Sequence, residues 1–325
     1  MLPIAVDAVG GDRAPAEILA GARQAREAGF PVVMVGPDEY LGAPVDYGDL
    51  PRIVASEVIA MDEDPARSVR TKKDSSLVRA AEAVRDGKAS AMISAGNTGA
   101  TMASALLRMG RVKGVNRPAI ATPIPVPGGT PTVLLDAGAN AEVQADWLVQ
   151  FAQMGSVYAR HRFGVAEPRV GLLSIGEEPG KGDSLRKEAH ELLVSAPGIR
   201  FVGNVEGRDV MTDDIDVVVT DGFTGNVVLK TLEGGMRTLV RALLAAFSSK
   251  PEYEPHAAVL LPALLPLYDS VDPDSTGGAV LLGVDGVCII SHGSSSARAM
   301  VNGIKVAAEM VERGMVDEIR AAISA

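Results

Sequence analysis

Three stretches of the chain put glycine and hydroxyl residues where a strand would end and a helix begin. Residues 217–226 read Val-Val-Val-Thr-Asp-Gly-Phe-Thr-Gly-Asn, residues 92–99 read Met-Ile-Ser-Ala-Gly-Asn-Thr-Gly, and residues 289–296 read Ile-Ile-Ser-His-Gly-Ser-Ser-Ser. Each is an apolar run, then Ser or Thr, any residue, Gly, any residue, Ser or Thr, and Gly or Ser. A helix that opens at such a turn has free backbone N–H groups at its positive end, and these bind anions, phosphate above all. One copy needs no ligand to explain it, since strand-to-helix turns use Gly and an N-cap anyway. Three copies point to an anion site at a sheet edge.

Side chains able to act on a bound anion are few. Lys181, in Gly176-Glu-Glu-Pro-Gly-Lys-Gly182, is the best single cation, because its flanking glycines let the backbone approach; an exposed loop lysine is the competing explanation. Lys230, one turn beyond Asn226, could reach the same ligand or simply sit on a helix surface. His292 alone of four histidines falls in a candidate loop, where a structural hydrogen bond would also account for it. Cys288, the single cysteine, lies inside the apolar run 287–290 and suits a buried thiol better than a nucleophile. Asp7, Asp12, Asp136 and Asp221 could hold a divalent ion, but capping and loop bracing account for them better, and no His/Cys/Asp cluster supports a metal. Gly-x-Gly-x-x-Gly after the first strand, the P-loop and Gly-x-Ser-x-Gly are all missing. Dinucleotide, nucleoside triphosphate and serine-hydrolase chemistry are therefore disfavoured, and no cofactor is expected.

Strands are expected over 2–7, 32–35, 52–55, 91–94, 119–125, 132–135, 170–175, 200–205, 217–220 and 287–291, with helices over 16–28, 75–84, 99–109, 146–159 and 184–194 between them. This alternation predicts an α/β protein with a doubly wound, mostly parallel sheet. Ligands of such sheets bind beyond the carboxyl ends of the strands, where the Gly-rich loops 7–12, 94–99, 136–140, 176–182, 203–209, 221–226 and 291–296 should gather. Between 232 and 276 no strand pattern appears. Two helical stretches flank a polar turn at 248–255, which predicts a helical hairpin protruding from one domain spanning 1–325.

With 47% hydrophobic and only 4% aromatic residues, 35 glycines and a net charge of −10, the chain suits closely packed helices on a sheet and not nucleic-acid binding. A lone cysteine excludes an internal disulfide framework. The first residues run straight into a strand instead of a basic-then-apolar leader, and the apolar stretch 257–268 is too short to span a bilayer, so cytoplasmic residence is expected.

Taken together, Asp7-Ala-Val-Gly-Gly-Asp12, Ser94-Ala-Gly-Asn-Thr-Gly99, Leu135-Asp-Ala-Gly-Ala-Asn140, Gly203-Asn-Val-Glu-Gly-Arg-Asp209, Thr220-Asp-Gly-Phe-Thr-Gly-Asn226 and Ser291-His-Gly-Ser294 resemble the bacterial phosphate acyltransferases. Those enzymes make acyl phosphate from acyl-acyl carrier protein and inorganic phosphate for phospholipid synthesis. The resemblance implies a fold akin to isopropylmalate dehydrogenase and phosphotransacetylase, and a homodimer. It also implies a hairpin that touches membrane or a downstream acyltransferase. Val9 departs from the usual Met, and Glu252, Glu254, Pro255, Pro262 and Pro266 stand in a hairpin that is often lysine-rich in relatives. Those acids favour a dimer contact over lipid for 257–268.

Direct transfer needs little protein chemistry. Phosphate with a pKa of about 6–7 is partly dianionic at neutral pH, and a thiol with a pKa of about 8.5 leaves readily. Positioning and oxyanion stabilisation then suffice. Asn97, Thr98 and Asn226 are expected to orient phosphate or the thioester carbonyl, with Lys181 as charge partner. Expected substrate contacts are Asp7, Gly11, Asp12, Gly96, Gly99, Asn140, Asn204, Asp221, Gly222, Thr224, Gly225, Lys230, His292, Gly293 and Ser294. Residues 67–117 carry eleven Lys/Arg against three acids. Within them Arg67, Arg70, Lys72, Lys73, Arg108, Arg111, Lys113 and Arg117 flank the 94–99 loop and are expected to dock the acidic carrier protein. Transfer from short acyl-CoA, or a module that binds a phosphorylated metabolite without catalysis, remain the alternatives.

Overall fold

The computed structural model describes residues 1–41 and 50–324. Side chains at 266–268, 270, 271 and 273 lie outside the described set, so the expectation for Pro266 is not addressed.

Short Val/Ile/Leu runs bounded by Gly, Pro and Asp become strands, buried on both faces except in the two that end the sheet. They are β1 (Ile4–Asp7), β2 (Val32–Gly36), β3 (Arg52–Val54), β4 (Ala91–Ser94), β5 (Ala119–Ile124), β6 (Thr132–Leu135), β7 (Arg169–Leu173), β8 (Arg200–Val205), β9 (Val217–Val219), β10 (Ala279–Leu282) and β11 (Val287–Ile290). They form one sheet in the order β3-β2-β1-β4-β11-β10-β5-β6-β9-β7-β8. Side chains alternate between faces along each strand. Ile4 and Val6 therefore join the hydrophobic cluster under helices Ala16–Glu27, Ala145–Phe163 and Ala297–Glu312, while Ala5 joins that under Ser76–Arg85 and Thr98–Arg108. A sheet covered by helices on both sides explains the near-continuous apolar strands.

Strand β10 was not foreseen from the sequence, and it decides the architecture. It pairs antiparallel with both β11 and β5, and β5 in turn pairs antiparallel with β6. The group β3, β2, β1, β4, β11 is internally parallel, as is the group β6, β9, β7, β8. Passing through β10 and β5 reverses direction three times, so the two groups run oppositely. Their carboxyl ends consequently point to opposite edges of the sheet. The Gly-rich loops do not gather at one edge, which corrects the expectation. Loops 7–12, 94–99 and 291–296 lie at one edge, here the upper, and loops 136–140, 176–182 and 221–226 at the other.

After β9, Gly222–Phe247 is one helix of 26 residues, followed by a 3-10 turn at Pro251–Tyr253 and helix Glu254–Val271. No described side chain from 226 to 269 is buried.

Candidate active site

Helix Gly222–Phe247 begins at the lower edge and crosses the face of β5. At about 1.5 Å per residue, two turns carry it roughly 11 Å upward. This brings Asn226, Lys230 and Glu233 into a cleft with Gly96 and Thr98 from the loop after β4 and His292 and Gly293 from the loop after β11. The cleft encloses about 200 Å³. Lys230 Nζ lies 2.9 Å from Glu233 Oε2 and 3.2 Å from His292 Nε2, which is itself 3.2 Å from Glu233 Oε1. Burial works against ionisation of Glu233, but the hydrogen bonds with His292 and Lys230 outweigh it and hold the carboxyl at about 2. Glu233 was missed by the sequence reading, although its position three residues after Lys230 on a helix was a usable signal.

On the opposite side of the cleft, helix Thr98–Arg108 opens at Gly96 and Thr98. Gly96 N–H donates to Ser94 Oγ, and Ser94 Oγ donates to Asp7 Oδ2 at 2.6 Å. Asp7 is thus a buried brace beneath the loop, and burial pushes its carboxyl up against the Ser94 hydrogen bond. Among the described residues the first-turn N–H groups of Thr98 and Gly99 make no hydrogen bond, so they remain available at a positive helix end. Gly11, Asp12 and Gly293 hold the neighbouring loops together: Asp12 N–H donates to Gly293 O at 2.7 Å, and a Cβ on Gly11 would stand 2.9 Å from the same oxygen. Ser294 is exposed beside them.

Several expected contacts are committed elsewhere. Asn97 caps its helix, accepting from Ala100 N–H at 3.0 Å, while its Nδ2 donates to the Met61 and Glu63 carbonyls. Asp221 caps the next helix through Thr224 N–H and Oγ1 and is paired with Arg186. Gly222 and Gly225 pack against the loop after β6, where a Cβ on Gly225 would lie 1.9 Å from Asp136 O and one on Gly222 2.6 Å from Asn140 O. Gly99 likewise abuts Pro65. Asp136 accepts from the N–H groups of Ile120, Gly138, Ala139 and Asn140 and from the Asn140 side chain. Asn140 also donates to Pro118 O, and Asn204 bridges Glu178 O and His190. Asp136, Asn140, Asn204, Asp221, Gly222 and Gly225 build the lower edge, whereas Asn97 and Gly99 brace the upper one. Lys181, on the exposed loop after β7, does not line the cleft. Cys288 is fully buried in β11, and burial pushes its thiol up to about 12. Among the described residues no group of His, Cys, Asp and Glu is placed to hold a metal.

A family model described as fatty acid synthesis protein matches residues 2–318. A phosphate acyltransferase of Elusimicrobium minutum is 48% identical over 98% of this chain and 94% of its own length. One of Pelotomaculum thermopropionicum is 48% identical over 99% and 95%. The chain belongs to the phosphate acyltransferase family. Solved structures share its fold at low identity. A phosphotransacetylase from Streptococcus pyogenes has a TM-score of 0.63 at 16% identity, covering 96% of this chain and 94% of that one. A 4-hydroxythreonine-4-phosphate dehydrogenase from Klebsiella pneumoniae has 0.54 at 13%, covering 96% and 100%. The sheet of this family member is therefore the one the sequence resemblance implied.

The two basic clusters do not share an edge. Helix Pro65–Thr71 sits against the start of helix Thr98–Arg108, so Arg67, Arg70 and Lys73 are exposed near the cleft. Lys72 is engaged with Glu63 and the Val58 carbonyl. Arg108, Arg111, Lys113 and Arg117 lie at the far end of that helix, about 16 Å away along its axis. There Arg108 is near Glu82, and Arg117 stacks 5.2 Å over Trp147. Among the described residues no helix is long and apolar enough to cross a membrane.

Proposed function

We propose that this protein transfers a fatty acyl group from acyl carrier protein to inorganic phosphate, forming acyl phosphate. The observation that carries the reading is the convergence of an open helix start at Thr98 with Lys230 and His292, from a different part of the chain, across one cleft. Backbone N–H groups and an ammonium facing each other suit a dianionic phosphate. Glu233 fixes the directions of Lys230 and His292, and Asn226 is placed to orient the thioester carbonyl. A phosphate oxygen forms a bond to the carbonyl carbon, and the oxyanion of the tetrahedral intermediate is held by the same donors. The carbon–sulfur bond then breaks, and the proton of HPO4²⁻ ends on the departing carrier thiolate. No covalent enzyme intermediate is needed, in keeping with the burial of Cys288.

Arg67, Arg70 and Lys73 are the docking surface for the acidic carrier protein in this reading, supported by their exposure beside the cleft. A homodimer contact through the hairpin, with residence in the cytoplasm and a peripheral membrane contact, belongs to the same proposal. It is supported by Leu239, Val259, Leu260 and Leu265, each more than half exposed. The test is to supply phosphate with palmitoyl-acyl carrier protein and, in parallel, palmitoyl-CoA, and to trap acyl phosphate with hydroxylamine. Product from the carrier protein is expected. Product from CoA alone would transfer the reading to a phosphotransacylase, and product from neither would leave only a binding module.

A further inference from the structure

Within the cleft, helix Gly222–Phe247 presents two adjacent strips. Successive residues turn by about 100°, so Leu229, Leu232 and Met236 fall on one flank and Asn226, Lys230 and Glu233 on the next. The apolar flank meets the face of β5 formed by its alternate residues Ile120, Thr122 and Ile124. Ile120 and Ala137, 4% and 5% exposed, close the groove at the lower edge. Apart from the Thr122 hydroxyl, which is buried without a hydrogen-bond partner among the described residues, the side chains of Ile120, Ile124, Ala137, Leu229, Leu232 and Met236 offer this wall only carbon and sulfur. Inorganic phosphate has no use for such a wall. Neither does a polar phosphorylated metabolite.

From this geometry we infer that the groove between β5 and the helix seats the acyl chain of the donor, and that Leu229 and Leu232 set the preferred chain length. The inference rests on the acyl-phosphate reading and deepens it. The reacting carbonyl lies on the polar strip by Asn226 and Lys230, and the chain turns from it across Leu229 toward Ile120. Because the strips adjoin along one helix, the polar and apolar subsites need no hinge to connect them. Burying a methylene is worth about fourfold in affinity, so a wall of this kind discriminates long chains from short ones.

The experiment measures kcat/KM for palmitoyl- and octanoyl-acyl carrier protein in the wild type, Leu229→Trp and Leu232→Trp. Filling the groove should lower the palmitoyl value relative to the octanoyl value by about tenfold, with the KM for phosphate unchanged. Leu232→Gln, at a half-buried position that tolerates polarity, should shift the ratio in the same direction and covers the case of a tryptophan variant that does not fold. An unaltered ratio in folded variants that still make acyl phosphate would place the chain elsewhere and overturn the inference alone. Acyl phosphate from neither donor in the wild type would overturn the underlying reading, and the inference with it.

Discussion

His292 Nε2 stands 3.2 Å from Glu233 Oε1 although 59 residues separate them, and that contact ties the loop after β11 to the helix after β9. Lys230 completes the cluster. The carboxylate is the fixed element, since it stays ionised far below neutrality and both Lys230 and His292 orient on it.

Glu233→Gln should therefore lower kcat/KM by about tenfold, the loss of one charge-assisted hydrogen bond. The acid dependence has a defined sign. A carboxyl at about 2 in the folded state against an ordinary 4.5 stabilises the fold above pH 4.5, and that contribution fades as pH falls from 4.5 toward 2. Chemical denaturation across this range should show wild type and Glu233→Gln converging at the acid end. Parallel curves would mean that the ion cluster does not stabilise the fold.

Asn97 caps a helix and donates to two carbonyls of the Met61–Glu63 turn, contacts that stabilise the fold. Asn97→Ala removes a helix cap and two donors to the Met61–Glu63 turn, and should cost about 2–3 kcal/mol. Asn97→Asp keeps the cap acceptor, loses the two donors, and should fall between. Thermal melts that leave Asn97→Ala as stable as wild type, with turnover reduced, would restore Asn97 to a chemical role.

Two glycines of one helix should respond in opposite ways. Gly225→Ala forces a Cβ to within 1.9 Å of Asp136 O, so the helix must shift, at about 3 kcal/mol or more. Gly234 has nothing within 4 Å, and Gly234→Ala should stabilise by about 0.5–1 kcal/mol. Denaturant midpoints of the two variants test both signs together.

Cys288, buried and with its thiol pushed up to about 12, should resist thiol reagents in the native protein and react once denatured. Cys288→Ala should retain activity with a loss of about 1 kcal/mol. Rapid native labelling that abolishes turnover would contradict direct attack by phosphate.

The local sequence was enough to determine the parallel strand–helix units and the family, because strand ends, caps and Gly-rich turns are decided by neighbouring residues. The motif Thr220-Asp-Gly-Phe-Thr-Gly-Asn226 announced a strand-to-helix turn, and that turn is there, with Asp221 as its cap. What those residues serve was not legible. Gly222 and Gly225 answer to a loop more than 80 residues earlier, and no local pattern records a backbone approach of that kind. The edge to which each loop points depends on β10, a four-residue apolar run whose antiparallel pairing is set by strands far off in sequence. With that reversal, Lys181 and Asn204 went to the lower edge, while the long helix rose from Asn226, beside Gly138, and carried Lys230 and Glu233 up to His292. Only the tertiary structure could decide this, because strand direction and helix crossing are properties of the assembled sheet and of no segment within it.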